Sequence, residues 1–382
     1  MGRRHEDKWY KSSFENMIEH GLLENDKRIL ELAMALGRFS SNQAVEYFTR
    51  NRRRGSSRAS IERSLKRLVD LKLLARYRPL MNAGEGTHPY VYQVTKRGVE
   101  VIQRLYATDR PITHDYSVPK GRTVQLNHGL AVGQAVLRLI ADDKRVRESL
   151  RLGFDFSHAS IGANAVEKVY LWDERRDNSD DEWMLLRPDA YVESKPMILT
   201  SDILDDYEFP LSDAMYLEID MGTEKLMQVV RQIKQYVGAY AAFQWEENRA
   251  ESPIVCWVFK KEKRFLQVLD SMYQINRADF VEAKVKTNKQ YSGIEPLMLV
   301  DDYYVYATTE DMFYRSGSVL SDPIWYTESD RGAVSLLEVF HSRRSKICEN
   351  ELHNEKKHAE SLERQQNRLE AIERARNADT YV

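Results

Sequence analysis

Residues 216–236 read YLEIDMGTEKLMQVVRQIKQY. The opening residues alternate, so Leu217 and Ile219 point to one face of a strand while Tyr216, Glu218 and Asp220 share the other. Gly222 and Thr223 break the strand. From Leu226 apolar residues recur at spacings of three and four, the period of a helix that buries Leu226, Val229, Val230, Ile233, Val237 and Tyr240 and leaves Gln228, Arg231, Gln232 and Gln235 outside. Two like charges side by side on a packed strand need a neutralising partner, because an unpaired buried carboxylate is costly and its neighbour repels it. One candidate is a divalent cation, since Mg2+ takes a few carboxylates together with water and substrate phosphate. An arginine such as Arg187 or Arg231 is another.

Working outward, RPDAYVES places Pro188 and Asp189 near the head of a preceding strand. The polar break at 173–181, flanked by apolar runs, reads as the turn of a hairpin whose second strand carries these two residues. On the other side, Ile254–Phe259 is a buried strand running into a helix, and PLMLVDDYYVYATT holds a further apolar strand. Alternating strands and helices imply a mixed sheet with helices on its faces. LNHGLAVGQAVLRLIADD, from residue 126, is an amphipathic helix with Asn127 as its cap and His128 in its first turn, read as a packed or capping histidine. SVLSDPIWYT, from residue 318, reads as a loop closing the unit.

Charge is distributed unevenly along the chain of 382 residues, although the net charge is only −2. From Arg50 to Arg78 eleven basic residues stand against Glu62 and Asp70, whereas from Asp173 to Asp220 fifteen acidic residues stand against four basic ones. The near-neutral total hides two opposite poles. At 42% apolar content the chain can build real cores. Two cysteines, Cys256 and Cys348, cannot supply a disulfide framework, and neither CxxC nor zinc spacing occurs. The first residues lack a signal-peptide core and no stretch has the length of a membrane span, so a reducing, cytoplasmic setting without membrane contact is expected.

The basic pole lies in a patterned segment. Residues 26–36 place Ile29, Leu30, Leu32, Ala33 and Leu36 at helical spacing with Asp26 as the N-cap, and SSNQAVEYF starts a second helix from a serine cap. SSRASIERSLKRLVDLKLL makes a third helix with Ile61, Leu65, Leu68, Val69 and Leu71 inward and Arg58, Arg63, Lys66 and Arg67 largely off that face. ARYRPLMNAGEGTHPYVYQVTKRG then alternates, breaks at Gly84-Glu85-Gly86 and resumes with Tyr90, Tyr92 and Val94 as a hairpin. Three helices, a hairpin and a closing helix over 25–106 resemble the winged helix-turn-helix family. The resemblance implies that the third helix enters the major groove of double-stranded DNA while the hairpin touches flanking phosphate. Arg52, Arg53, Arg54, Arg58, Arg63, Lys66 and Arg67 are the expected DNA-binding residues.

The acidic pole carries a second resemblance. Pro188-Asp189 matches the PD element, Glu218-Ile219-Asp220 stands at the (D/E)XK element, and Gln232 with Tyr236 matches QxxxY on the following helix, so residues 124–334 resemble the PD-(D/E)XK nuclease superfamily. That resemblance implies Asp189, Glu218 and Asp220 as ligands of Mg2+ or Mn2+, with Gln232 and Tyr236 completing a catalytic set. The superfamily lysine is replaced here by Asp220, with Lys225 or Lys234 as substitute amines on the helix.

The whole pattern, a winged helix followed by LNHGLAV, RPDAYVE and LEIDMGTE with QIKQYVGAY, is similar to the replication-relaxation family of plasmids and mobile elements over about residues 25–275. The expected class is α+β or α/β. A 1–24 extension precedes a winged helix at 25–106, a linker at 107–123, a nuclease-like mixed-sheet domain at 124–334 and a charged helical tail at 335–382. Leu362, Leu369 and Ile372 of the tail fit a/d positions of a dimerising or partner-binding helix. Three functions follow as expectations. The first is a DNA-binding accessory protein in replication, relaxation or mobilisation, with replication or mobilisation proteins or a second copy as partners. The second is a metal-dependent endonuclease that nicks DNA. The third is a winged-helix transcriptional regulator.

Overall fold

The computed structural model describes residues 18, 21–50, 57–78, 89–106, 123–150, 158–161, 167–170, 183–193, 197–200, 208–211, 214–243, 253–275, 305–327, 332–343, 360 and 364. Helix α1 spans Glu24–Leu36, strand β1 Arg38–Ser40, α2 Ser41–Arg50, α3 Arg58–Asp70, β2 Leu74–Tyr77, β3 Val91–Val94 and α4 Lys96–Tyr106. Ile29, Leu30, Leu32, Ala33 and Leu36 of α1 and Ile61, Leu65 and Leu68 of α3 are all buried, so the three-and-four spacing finds the core faces.

The helix starts differ in detail. Asp26 is the third residue of α1 rather than its cap: it accepts the Leu23 N–H at 3.0 Å from within the first turn. At α2 the expected serine cap is a reciprocal box, in which Ser40 Oγ accepts the Gln43 N–H at 3.2 Å and Gln43 Oε1 accepts the Ser40 N–H at 2.8 Å. Ser57 Oγ caps α3 by accepting the Ser60 N–H at 3.2 Å.

The hairpin strands belong to a three-stranded antiparallel sheet in the order β1-β3-β2. β1, only three residues long, leaves no period to detect, yet it places β3 in the middle. Hence all four residues of β3 are buried, where alternation alone had put one face outside. The turn with Gly84-Glu85-Gly86 lies outside the described residues, as do Arg52, Arg53 and Arg54 and most of the charged tail with Leu362, Leu369 and Ile372.

Helix α5, Thr123–Leu150, begins four residues before Asn127, so Asn127 is an exposed residue inside the helix and not its cap. Strands β4 His158–Ile161, β7 Ala190–Glu193, β10 Ala214–Asp220, β11 Ile254–Phe259 and β12 Val305–Thr309 form a mixed sheet in the order β12-β11-β10-β7-β4. β10, β11 and β12 run parallel, and β7 is antiparallel to both β10 and β4. The hairpin at the 173–181 break is present as β5 Glu167–Tyr170 with β6 Trp183–Leu186. Pro188 and Asp189 are not on its second strand, however: they form the bend that leads into β7. A further hairpin joins β8 Met197–Thr200 to β9 Glu208–Leu211.

Helices α6 Leu226–Phe243 and α7 Glu262–Ile275 cover one face of the sheet, where Tyr216, Val255, Trp257 and Phe259 pack with Val229, Ile233, Val268 and Leu269. α5 covers the other, against Met215, Leu217 and Ile219. Between two helical layers, all seven residues of β10 are buried. The short helix α8, Glu310–Arg315, precedes the turns of 316–327, in which the buried Trp325 donates to the Val319 carbonyl at 2.8 Å.

α5 also joins the two sheets. Its Leu130 carbonyl accepts from Gln43 Nε2 at 2.8 Å, Gln134 Nε2 donates to Glu46 Oε2 at 2.7 Å, and Val132 and Val136 lie in a core that continues from α1 to β11. On the far side Arg138 donates to the Ser316 carbonyl at 2.7 Å, and the buried Asp142 accepts from Ser318 Oγ at 2.6 Å and the Leu320 N–H at 3.0 Å. Among the described residues no helix is long and apolar enough to cross a membrane.

Candidate functional site

The pleat of β10 puts Glu218 and Asp220 on the α6/α7 face, as the alternation requires. Glu218 is 3% exposed and sits opposite Trp257 in the register with β11. The Tyr236 hydroxyl, reaching down from α6, donates to Glu218 Oε1 in a short hydrogen bond. Burial, with the neighbouring Asp189 charge, holds the Glu218 carboxyl well above the usual carboxylate range, which favours its protonated form. Burial, then the Glu218 carboxyl, pushes the Tyr236 phenol up as well.

Asp189 is fixed from two directions. Its Oδ2 accepts the Ile219 N–H at 2.8 Å and lies 3.1 Å from His128 Nε2. The same His128 nitrogen is 3.0 Å from the Ile219 carbonyl. Both neighbours accept, so Nε2 carries the hydrogen and donates. The bond to Asp189 raises the His128 pKa against the opposing effect of burial. His128 was expected only as a packed or capping residue; its place beside Asp189 follows from α5 crossing the sheet, which the spacing within LNHGLAV does not encode.

Asp220 turns to a different partner. Its Oδ2 lies 2.5 Å from Arg264 Nε, with the Asp220 side chain 2% and the Arg264 side chain 13% exposed. Its Oδ1 accepts the Gly222 N–H at 3.1 Å. Burial moves the Asp220 carboxyl up, opposed by the Gly222 N–H and by the Arg264 charge. The neutralising arginine is therefore neither Arg187 nor Arg231, both exposed. Arg264 stands in the first turn of α7, and the parallel register that ends β10 at Asp220 and β11 at Phe259 brings it alongside. Gly222 has φ +74°, a conformation open to glycine, and Lys261 lies across it: a Cβ there would meet Lys261 Cε at 3.2 Å.

Of the five residues expected to form a catalytic set, three meet: Asp189, Glu218 and Tyr236. Asp220 is held apart by Arg264. Gln232, half-buried one turn before Tyr236, makes no hydrogen bond to the carboxylates. Measured against Mg2+ or Mn2+, the carboxylates are already engaged by Tyr236, His128, the Ile219 N–H and Arg264, whereas a hard cation needs free oxygen lone pairs on one side. Among the described residues no group of three or more His, Cys, Asp or Glu is placed to hold a metal ion. As arranged, the site does not fit the ion.

On the basic pole the residues divide. Arg58, Arg63 and Lys66 are exposed on α3, with Arg58 paired to Glu62 at 2.9 Å and Arg63 Nε donating to the Ala59 carbonyl at 3.2 Å. Arg67 turns inward. Its Nε lies 3.0 Å from Asp26 Oδ2 and its Nη2 donates to Asp26 Oδ1 at 3.1 Å, clamping a fully buried carboxylate at the start of α1. On the sheet, Arg76 and Arg78 lie over the Tyr90 ring at 4.6 and 4.4 Å from its centroid.

These features define a mixed α+β protein in which one long helix joins a small helical unit with a basic face to a mixed sheet carrying buried carboxylates. The family model described as replication-relaxation matches residues 35–255, more than half of the chain. The chain belongs to the replication-relaxation family, which points to a role in the replication or relaxation of mobile-element DNA. The match takes in α5, Asp189, Glu218, Asp220 and Tyr236 and stops before Lys261 and Arg264. No curated protein and no solved structure matches.

Proposed function

We propose that this protein is a DNA-binding accessory protein of a plasmid or other mobile element. In this reading its N-terminal unit is a winged helix, and its mixed-sheet unit is a nuclease-like domain that holds DNA or a replication or mobilisation partner without cutting. The observation that carries the reading is the outer surface of α3. Arg58, Arg63 and Lys66 are exposed on the third helix of a unit whose order α1-β1-α2-α3-β2-β3, with β1 closing the sheet beside β3, supports the winged-helix reading. Basic side chains there would neutralise phosphates and supply affinity by counterion release. Arg67 is left out of the contacting set because Asp26 holds it.

The nuclease-like reading of the second unit is supported by the placement of Asp189 at the head of β7, Glu218 on the adjacent β10 and Tyr236 on the next helix. Its loss of cutting is supported by the hydrogen bond that Tyr236 gives Glu218 and by the ion pair of Asp220 with Arg264. A metal-dependent nickase is the second reading, favoured by the closeness of Asp189 and Glu218; it requires these side chains to exchange their present partners for the ion. A topology gel separates the two. Supercoiled plasmid incubated with the protein and Mg2+ or Mn2+ should remain supercoiled while shifting in mobility. Nicked or linear product from wild type, lost in Asp189→Ala/Glu218→Ala, would establish the nickase instead.

A further inference from the structure

We infer that the mixed-sheet unit carries its own surface for the phosphate backbone of duplex nucleic acid, formed by the outer face of α6 and the two loops that leave the carboxyl ends of β10 and β11. α6, Leu226–Phe243, contains no acidic residue. Its exposed positions include Met227, Gln228, Arg231, Lys234 and Gln235, so Arg231 and Lys234 are three apart on the solvent side. Lys225 precedes its first turn. The β11 loop adds Lys260 and Lys261, and the first turn of α7 adds Lys263, all exposed.

Three structural facts bring these groups together. The ends of β10 and β11 are in register at Asp220 and Phe259, and the Lys260 N–H donates to the Asp220 carbonyl at 3.0 Å. Lys261 packs across the Gly222 turn, and Arg264 Nη1 donates to the Glu224 carbonyl at 2.5 Å, bracing one loop on the other. The acid that would oppose them from within, Asp220, is buried and spent on Arg264. Among the described residues none of the six cations Lys225, Arg231, Lys234, Lys260, Lys261 and Lys263 is ion-paired, and only Glu224 and Glu262 stand exposed among them in these loops.

An unpaired basic strip with neutral glutamines between its charges suits a regular row of phosphates, each of which accepts from ammonium, guanidinium and amide donors alike. Among the described residues its exposed side chains include no aromatic platform for unstacked bases, which favours a duplex over a single strand. The inference rests on reading the chain as a DNA binder, but it concerns residues of the other unit, so the two can fail separately.

The test uses the full chain and a labelled duplex of about 40 bp, with anisotropy titrations from about 50 to about 200 mM salt. Lys225→Gln/Arg231→Gln/Lys234→Gln is compared with Arg58→Gln/Arg63→Gln/Lys66→Gln. Each phosphate contact contributes about 0.9 to the slope of log affinity on log salt, so three lost contacts lower the slope by about 2.7. Wild type should therefore weaken about 40-fold more than the α6 variant over that fourfold rise in salt. Because all three side chains are exposed, the thermal melt should not move. Arg231→Gln alone, reducing the slope by about one, serves if the triple variant fails to fold. A wild-type slope in the α6 variant beside a reduced slope in the α3 variant would overturn the inference and leave the winged-helix reading standing, with an acidic protein as the alternative occupant of the face. A reduced slope in the α6 variant alone would support the inference and remove DNA binding from α3.

Discussion

Arg63 and Arg67 are four residues apart on one helix, carry the same charge, and should nevertheless fail in opposite ways when replaced by alanine. Arg67 makes two contacts, of 3.0 and 3.1 Å, to an Asp26 side chain with no exposed surface. Without the guanidinium, that carboxylate retains only the Leu23 N–H at 3.0 Å. Breaking a buried ion pair costs about 3–5 kcal/mol. The Arg67 side chain is 36% exposed, so water can enter part of the vacated volume and the cost falls to the lower end of that range or somewhat below it. We expect Arg67→Ala to lose about 2–3 kcal/mol, a fall in melting temperature of roughly 5–10 °C. Arg63, held only by its own helix, should change stability by no more than about 0.5 kcal/mol and weaken DNA binding instead. Asp26→Asn in the Arg67→Ala background removes the stranded charge and retains an oxygen for the Leu23 N–H, so most of the loss should return. Thermal melts and anisotropy on the four proteins read both quantities. If Arg67→Ala melts like wild type and loses DNA binding as Arg63→Ala does, the division of α3 into an anchoring and a contacting side is wrong.

Two further outcomes follow from the carboxylates. Glu218 binds its proton more tightly folded than unfolded, so the stability it contributes is complete below the ordinary glutamate range and is lost as pH rises through its elevated native value. Glu218→Gln should flatten that decline and be relatively more stable than wild type toward alkaline pH, checked by melts across pH; a variant with an undiminished decline would place the proton elsewhere. Arg264→Ala should cost about 3–4 kcal/mol, since it strands Asp220, whose side chain is 2% exposed. Restoration by Asp220→Asn, followed by urea unfolding, should be substantial, whereas a loss below about 1 kcal/mol for Arg264→Ala would show that the pair is not what neutralises Asp220.

Local order was legible wherever a period ran for long enough. α1, α3, α6 and α7 repeat their apolar residues over three turns or more, and the five-residue alternation from Tyr216 to Asp220 correctly puts Glu218 and Asp220 on one face. β1 was missed because three residues contain no period, and its absence hid the burial of both faces of β3. The start of α1 was misread because a buried aspartate in the first turn and a capping aspartate look alike in sequence; the difference is made by Arg67, 41 positions away. The same limit applies at the site. Tyr236 was found through the resemblance of Gln232 and Tyr236 to the QxxxY element. His128 and Arg264 were not, since one arrives by a helix crossing the opposite face and the other by a parallel pairing that local sequence does not record.

The three carboxylates show what the sheet demands once catalysis is set aside. A phenol O–H meets Glu218, an imidazole N–H and a backbone N–H hold Asp189, and a guanidinium holds Asp220, so each partner side chain comes from a different helix: Tyr236 from α6, His128 from α5 and Arg264 from α7. The group on α5 has the widest reach. The same helix that offers His128 to Asp189 receives Gln43 at Leu130 and gives Gln134 to Glu46, and it buries Val132 between those points and Val136 just beyond them. Rotating the basic helical unit against the mixed sheet would break both amide contacts and expose that apolar seam to water, at about 25 cal/mol for every square ångström uncovered. Such a seam favours movement of the two units as one body, in which DNA held on α3 would approach the sheet unit along a fixed direction.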